Sequence, residues 1–246
     1  MVTLPTPERA ARRRQAIADY MAQDHASREL IVIIDPARGG DPVAVVDEVR
    51  SLGRSDVKAI IPPLRGSLGA LRNGAVTAAQ GAIICQWDDD DRHHPSRISA
   101  GLAALDRQQA GAAILQDVLL LDERRGALSW TNWSRTPARG HPATLIASRA
   151  TLPRYPEKGA AAEQGEDLAV AELLQKAGRL APLTGAPHLY IYVDHGTNVS
   201  SAEHHAMLRR ELAISAGLLE RRKPALLAAL APFDLAAVTL EGRQPG

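Results

Sequence analysis

Residues 82–95 read AIICQWDDDDRHHP: an apolar run passes directly into four adjacent aspartates, Asp88, Asp89, Asp90 and Asp91. Two unit charges about 4 Å apart repel by roughly 4 kcal/mol at an effective dielectric near ~20, so a fold that gathers these carboxylates needs a cation beside them. Carboxylate oxygens suit Mg²⁺ or Mn²⁺, which commonly share their coordination with a substrate phosphate. Because open α/β sheets bind ligands beyond their strand ends, the run indicates a ligand site; the alternative is a solvated acidic turn.

The composition is that of an ordinary globular protein. The 246 residues are 45% apolar and 23% charged, which allows one large domain or two small ones with a substantial core. A net charge of +1 gives no electrostatic reason to expect nucleic-acid binding. The single cysteine, Cys85, excludes an internal disulfide and fits a reducing cytoplasm. No secretory signal and no uncharged apolar stretch of about 20 residues is visible, so we expect a cytoplasmic protein.

The first half of the chain alternates continuous apolar runs with helical patterns. Such runs are typical of strands buried on both faces, and their alternation with helices predicts a parallel sheet covered by helices. The predicted strands are 30–34, 57–61 and 82–87, and the predicted helices are 8–23, 42–52, 68–80 and 95–108.

The pattern changes after residue 110. Residues 112–121 and 127–133, joined by 122–126, have the form of a β-hairpin. Further strands are predicted at 142–148 and 189–193, and further helices near Glu166 and over 202–219. The expected fold class is therefore α/β, with a Rossmann-like first half and a mixed second half.

Several short motifs occur in register around the acidic run. Residues 69–74 read GALRNG, residues 79–84 read AQGAII, and Pro95 follows the aspartates. Further along come 140–142 (GHP), 165–167 (GED) and 192–196 (YVDHG). In this order and spacing the chain resembles the family 2 glycosyltransferases of GT-A fold, over about residues 2–205. The resemblance implies a single GT-A domain, 1–246, with a nucleotide-sugar-binding half (1–95), an acceptor-binding half (96–205) and a C-terminal helical extension (206–246).

The resemblance also implies roles for individual residues. The nucleotide-sugar would be held by five residues, Thr6, Asp35, Arg72, Asp88 and Asp89. Mn²⁺ or Mg²⁺ would be bound by Asp88, Asp90 and His195, and such a cation offsets the charge of a departing diphosphate. Asp167 would be the general base on the acceptor hydroxyl, with Glu166 beside it at the acceptor site.

The implied reaction is inverting transfer from a nucleotide-diphosphate sugar, a UDP-sugar by preference, to a saccharide, lipid-linked or other hydroxyl acceptor. The basic clusters Arg12–Arg14 and Arg221–Lys223 are most simply solvated helix faces. The alternative is that they hold the protein at the inner face of a membrane, where lipid-linked acceptors lie.

Two other functions remain open on the sequence. A sugar nucleotidyltransferase also combines a Rossmann-like half with acidic Mg²⁺ ligands, although it would carry a glycine-rich basic loop where this chain has 6–9 (TPER). A non-catalytic GT-A-like binding or scaffold module is the second alternative. It is suggested by the short first strand and by Ile34 and Pro36, which stand beside Asp35 where the family has an aspartate and a glycine.

Overall fold

The first half of the chain alternates strands and helices. The computed structural model describes residues 1–36, 39–198, 200–235 and 238–243. The elements of this half are β1 (Val2–Thr3), α1 (Pro7–Met21), β2 (Leu30–Ile34), α2 (Pro42–Ser51), β3 (Val57–Ile60), α3 (Leu68–Ala78), β4 (Ile83–Cys85), β5 (Arg92–His93) and α4 (Arg97–Gln108).

The second half is mixed and strand-rich. Short 3₁₀ turns at 142–144, 160–162 and 187–189 connect its elements. These elements are β6 (Ala112–Leu115), β7 (Asp117–Asp122), β8 (Ala127–Asn132), β9 (Ile146–Ser148), α5 (Glu166–Lys176), β10 (Leu180–Leu183), β11 (Tyr190–Asp194), α6 (Ala202–Leu212), α7 (Ala216–Ala229) and β12 (Thr239–Glu241).

Within the described ranges, the backbone pairs form three sheets. The first, β1-β2-β3, is entirely parallel. The second has the order β10-β6-β9-β4, with β9 antiparallel to both of its neighbours, and the third has the order β12-β8-β7-β11-β5. The predicted α/β class is confirmed, with a parallel sheet in the first half and mixed sheets in the second. The single domain with divisions at residues 95 and 205 stays a prediction.

Strand β2 shows why the first half folds as it does. All five of its residues are buried, because both of its faces are covered. Leu30, Val32 and Ile34 pack with α1 and α2 on one face, while Ile31 and Ile33 pack against α3 on the other. A strand sandwiched in this way has no polar face, which is the reason for its uninterrupted apolar sequence.

Strand β1 has only two residues, and it leaves a gap beside β4. Its backbone pairs with β2, and the Met1 amine donates to the carbonyl of Ile31 over 2.9 Å. In the ranges given above, no strand pairing joins β4 to β1 or β2. A cavity of about 280 Å³ lies between them, lined by apolar side chains that include Ile83 and Cys85.

Three predicted elements are wrong in their extent. The predicted strand 112–121 is two strands, because the chain leaves one sheet for another at Gln116, whose amide donates to Leu183. The predicted strand 142–148 begins as a 3₁₀ turn, and only Ile146–Ser148 is extended. The predicted helix 202–219 is two helices, because Ala213 bridges to Thr131 in extended conformation and interrupts it.

The C-terminal elements return to the third sheet. Ser215 accepts a hydrogen bond from the Leu218 amide and so begins α7, and β12 pairs with β8 in parallel. Pro224 lies inside α7. Within the described part of the chain, no helix has both the length and the apolar character that a bilayer crossing requires.

The two glycines of the GALRNG segment differ in their surroundings, which generates a stability prediction. A Cβ at Gly69 would lie 1.9 Å from the carbonyl oxygen of Pro156, whereas a Cβ at Gly74 would meet nothing within 4 Å. We expect Gly69→Ala to lower the free energy of unfolding by about 1–3 kcal/mol, since α3 must move off the backbone it touches. Gly74→Ala should raise it by about 0.5–1 kcal/mol, the ordinary helix preference for alanine.

Chemical denaturation of the two variants and the parent protein measures both effects. Equal stabilities for the two alanine variants would contradict the close approach of α3 to residue 156.

Candidate active site

The four aspartates follow the carboxyl end of β4 and lead into β5. Alternate members of the run turn inward. Asp89 is 5% exposed and accepts a hydrogen bond from the Thr3 hydroxyl over 2.5 Å. Asp91 is 4% exposed and accepts from the Tyr190 hydroxyl and, over 2.8 Å, from the Val193 amide. Burial raises the pKa of Asp89 to about 6, and burial beside the neighbouring carboxylates raises the pKa of Asp91 well above its usual range. These two side chains anchor the run to β1 and β11.

The Asp90 carboxylate faces two nitrogen-containing side chains, the Arg9 guanidinium and the His195 imidazole. Its Oδ2 lies 2.5 Å from Nη1 of Arg9 and 3.1 Å from Nε2 of His195. Burial opposes ionisation of Asp90, but these two partners outweigh it and hold the pKa of Asp90 below its usual range. Thr197 hydrogen-bonds to Nδ1 of His195, and Asn198 accepts from the His195 amide, so the loop after β11 fixes the ring. The structure therefore brings together Asp90 and His195, two of the three predicted metal ligands.

Arg72 connects the third predicted ligand to the opposite side of the site. Its Nη1 donates to Asp88 over 3.0 Å and its Nε donates to Glu166 over 2.7 Å. The guanidinium also lies 5.9 Å from the ring centroid of Tyr155. Although Arg72 opposes it, burial raises the pKa of Glu166, which is only 2% exposed. One α3 side chain thus links the end of β4 to the start of α5.

Asp167 is the less constrained of the two acidic residues that begin α5. Its side chain is partly exposed, and Gln86 approaches its Oδ2 at 3.4 Å. Burial and the charge of Asp88 raise the pKa of Asp167, and the cation of Arg72 opposes them. Among the residues that the structure describes, Asp167 has no ion-pair partner, and a carboxylate of this kind is suited to accept a proton.

Two predicted nucleotide ligands lie at the carboxyl ends of β1 and β2. Thr6 immediately precedes α1, and its side chain makes no capping hydrogen bond. Asp35 is buried after β2, and its amide donates to Thr3. Gly40 packs on the same corner, where a Cβ would lie 2.0 Å from the carbonyl oxygen of Pro5. Thr6 and Asp35 therefore share one sheet edge, and their part in nucleotide binding stays a prediction.

The two histidines that follow the run do not line the site. His93 is buried, stacks on Trp87 with ring centroids 3.8 Å apart, and binds the carbonyl of Asp88. Burial and the adjacent Arg97 hold the pKa of His93 well below its usual range, so the ring is neutral. His94 packs against Phe233 at the far end of the chain. Both rings support the run from behind.

The residues present fit a divalent cation in type. Asp88, Asp90 and His195 supply oxygen and nitrogen donors, and a neutral imidazole with one nitrogen fixed by a neighbour is a common ligand. In the described ranges, no cluster of three or more His, Cys, Asp or Glu side chains has the arrangement of a metal site. Arg72 and Arg9 instead hold the carboxylates of Asp88 and Asp90. Cation binding would therefore require these two guanidinium groups to move away from the carboxylates.

Sequence reasoning gave no role to four residues that shape the site, which are Arg9, Gln86, Tyr155 and Tyr190. Arg9 was recognisable, because it ends the 5–9 segment (PTPER) in which Pro5 and Thr6 match the family. Gln86 was visible as the one polar side chain in an apolar strand run, and its amide binds both Asp167 and the Tyr155 hydroxyl. The two tyrosines carried no signal, since buried aromatic residues are usually core residues.

Residues 2–135 match the family model of glycosyl transferase family 2. The chain belongs to this family. A curated relative is the putative colanic acid biosynthesis glycosyl transferase WcaA of Escherichia coli (strain K12), 29% identical over 102 residues, or 42% of this chain. The chain spans about a third of that protein's length (36%).

Solved structures of S. aureus TarS resemble the whole chain. Residues 1–349 of TarS in complex with UDP-GlcNAc superpose with a TM-score of 0.61 at 16% identity, covering 96% of this chain and 67% of that one. The complex of the same TarS fragment with UDP gives a TM-score of 0.57 at 16% identity, covering 93% and 78%. This member of glycosyl transferase family 2 therefore has the GT-A fold.

The two ion pairs of Arg72, with Asp88 and with Glu166, form what we call the Arg72 bridge. This bridge generates a prediction about stability and pH. Replacing Arg72 by Met leaves Glu166 buried without its cation, which we expect to cost about 3–5 kcal/mol near neutral pH. The loss should raise the pKa of Glu166 further above its unfolded value. A buried carboxyl with a raised pKa destabilises the fold only while it is ionised, so the deficit should shrink as the pH falls from neutral toward the unfolded pKa of about 4.3.

Denaturation of Arg72→Met at several pH values measures this deficit. The matched control is Arg50→Met, since Arg50 and Asp47 form a pair on the surface, 75% and 61% exposed, and its loss should cost at most about 1 kcal/mol at any pH. An Arg72→Met deficit that stays constant with pH would contradict the bridge.

Proposed function

We propose that this family 2 protein is a metal-dependent, inverting glycosyltransferase that moves a sugar from a UDP-sugar to an acceptor hydroxyl. The Arg72 bridge is the observation that carries this proposal. It holds Asp88, from the acidic run, and Glu166, from the start of α5, on one guanidinium, with Asp167 adjacent. Donor and acceptor chemistry would thereby meet at one place, although their residues are 78 positions apart in sequence (166 − 88).

The choice of donor is supported by the related structures and by the chemistry of the run. The TarS fragment that shares this fold binds UDP-GlcNAc and UDP. A cation held by Asp88, Asp90 and His195 would neutralise the diphosphate as it departs. Nε2 of His195 lies 3.1 Å from Oδ2 of Asp90, so the two candidate ligands already face one another.

In the proposed reaction, Asp167 accepts the proton of the acceptor hydroxyl. The acceptor oxygen then forms a bond to the anomeric carbon while the bond from that carbon to the diphosphate breaks, and the electron pair leaves with the diphosphate oxygen. Attack opposite the leaving group inverts the anomeric centre. Gln86 orients the base, and Arg72 holds Glu166 beside it.

Of the two alternatives, family membership weighs against a sugar nucleotidyltransferase. A non-catalytic module is the outcome that the experiment below must exclude. Peripheral membrane contact remains part of the proposal, and α7 is the helix that we expect to make it. There Arg221 and Arg222 are exposed, whereas Arg12 and Arg13 pair with Glu123 and Glu48.

A donor screen tests the proposed function. Nucleotide release is measured from UDP-, GDP- and dTDP-sugars with Mn²⁺, Mg²⁺ or EDTA. We expect Mn²⁺-dependent hydrolysis of a UDP-sugar that Asp90→Ala abolishes, because the cation loses a ligand. Asp167→Asn should lower acceptor-dependent transfer by about 10²–10⁴-fold and leave donor binding intact.

The matched control is Asp106→Asn, which removes an exposed carboxylate on α4 and should change neither quantity. Metal-dependent UDP binding without turnover, unchanged in Asp167→Asn, would identify a binding module. If no nucleotide binds, the proposal is wrong.

The raised pKa of Asp167 predicts the acid side of the pH profile. A base must be ionised, so kcat/KM should fall as the pH drops through the pKa of Asp167. That pKa should lie above the ordinary aspartate value of about 3.9, because burial and Asp88 raise it. A profile of kcat/KM against pH, with Asp167→Glu for comparison, measures the limb. An acid limb at or below about pH 3.9, or one that Asp167→Glu does not move, would contradict the assignment.

A further inference from the structure

Strand β11 presents three polar side chains on one face, Tyr190, Tyr192 and Asp194. They share a face because side chains alternate along a strand. Tyr190 and Asp194 are fully buried, and the Tyr190 hydroxyl is used by Asp91. Tyr192, between them, keeps part of its surface open to solvent. It is therefore the member of this row that can touch a ligand.

The hydroxyl of Tyr192 belongs to a network that includes Asp194 and two residues of α6. Its oxygen lies 2.9 Å from Nε2 of His205, in α6. Nδ1 of His205 lies 3.4 Å from Oδ1 of Asp194, and neither of these two atoms has a hydrogen bond to another described residue. Oδ2 of Asp194 is held by Arg209 over 3.1 Å.

The direction of these hydrogen bonds follows from the charges. Burial lowers the pKa of His205, so its ring is neutral and carries one proton. That proton belongs on Nδ1, which faces the Asp194 carboxylate. Nε2 is then an acceptor, and the Tyr192 hydroxyl must donate to it. The phenolic oxygen can then still accept a hydrogen bond, and the Ser200 side chain is near enough to lower the pKa of Tyr192.

The position of Tyr192 relates it to the site already described. Its ring lies edge-on between His141 and His205, with centroids 4.8 and 5.1 Å away. Burial raises the pKa of Tyr192, and the charges of Asp91, Asp90 and Asp167 add to that rise. On β11, Tyr192 lies between Tyr190 and Val193, both of which donate hydrogen bonds to Asp91 of the acidic run.

We propose that Tyr192 binds the acceptor by accepting a hydrogen bond from a saccharide or polyol hydroxyl, and that His205 and Asp194 are the positioning residues that fix its oxygen for this purpose. This inference rests on the proposed function. The inference specifies which group of the acceptor is bound. Because the Tyr192 hydroxyl donates its proton to His205, its oxygen can only accept, and it therefore binds a hydroxyl that donates.

Kinetics with simple acceptors test the inference. Wild-type protein is supplied with the UDP-sugar it hydrolyses and with a panel of methyl hexosides and free alditols. We expect Tyr192→Phe to raise the KM for the best of these acceptors roughly three- to tenfold, the effect of one hydrogen bond, with a smaller change in kcat. Hydrolysis of the donor without acceptor should stay within about twofold.

Two further variants separate positioning from folding. His205→Leu should repeat the KM defect, and His205→Gln, whose amide oxygen can accept from the phenol, should recover part of it. The control Tyr20→Phe removes a phenol that binds Asp56 at the far side of α1, and it should change neither KM nor hydrolysis. If His205→Leu does not fold, as thermal melting would show, Tyr192→Phe alone carries the test.

The outcomes that overturn the inference differ from those that overturn the function. A wild-type protein that hydrolyses no donor defeats the proposed function. Hydrolysis that no member of the panel stimulates, an unchanged KM in Tyr192→Phe, or an equal loss of acceptor-free hydrolysis defeats the inference about Tyr192 alone.

Discussion

Four carboxylates on consecutive residues can share one strand end only if different partners neutralise them. The backbone of the run bends at residues 89–91, and its side chains face different partners, which separates the charges into two pairs. Asp89 and Asp91 turn inward to the Thr3 and Tyr190 hydroxyls, and Asp88 and Asp90 turn toward cationic groups, with Arg9 also 3.5 Å from Asp89. The partners thereby offset the repulsion that the four carboxylates would have in an isolated strand.

This solution ties distant parts of the chain to one place. The partners of the run come from β1, α1, α3, β11 and the loop that follows β11. The site therefore forms only when the parallel first half and the mixed second half have come together. Arg72 extends this network, because its one guanidinium binds both Asp88 and Glu166. It thereby holds the start of α5 beside the end of β4.

The sequence predicted what depends on local pattern and on motif register. The buried character of β2 follows from its apolar run, and the meeting of Asp90 with His195 follows from the order of motifs. What depends on pairing between distant segments could not be predicted. The switch of sheets at Gln116 is one case, and the interruption of the last long helix at Ala213 is another, because each is fixed by a backbone partner far along the chain. The inward and outward alternation of the run was equally hidden, since four identical letters do not show which side is buried.

Binding of Mn²⁺ in the presence of UDP, measured by electron paramagnetic resonance for the four single Asp→Asn variants of the run, tests this division most directly. The account predicts that Asp88→Asn and Asp90→Asn lose Mn²⁺ binding and keep the parent melting temperature within a few degrees. Asp89→Asn and Asp91→Asn should lower the melting temperature and still bind Mn²⁺ while folded. Loss of Mn²⁺ in a folded Asp89→Asn or Asp91→Asn protein, or its retention in Asp90→Asn, would contradict it.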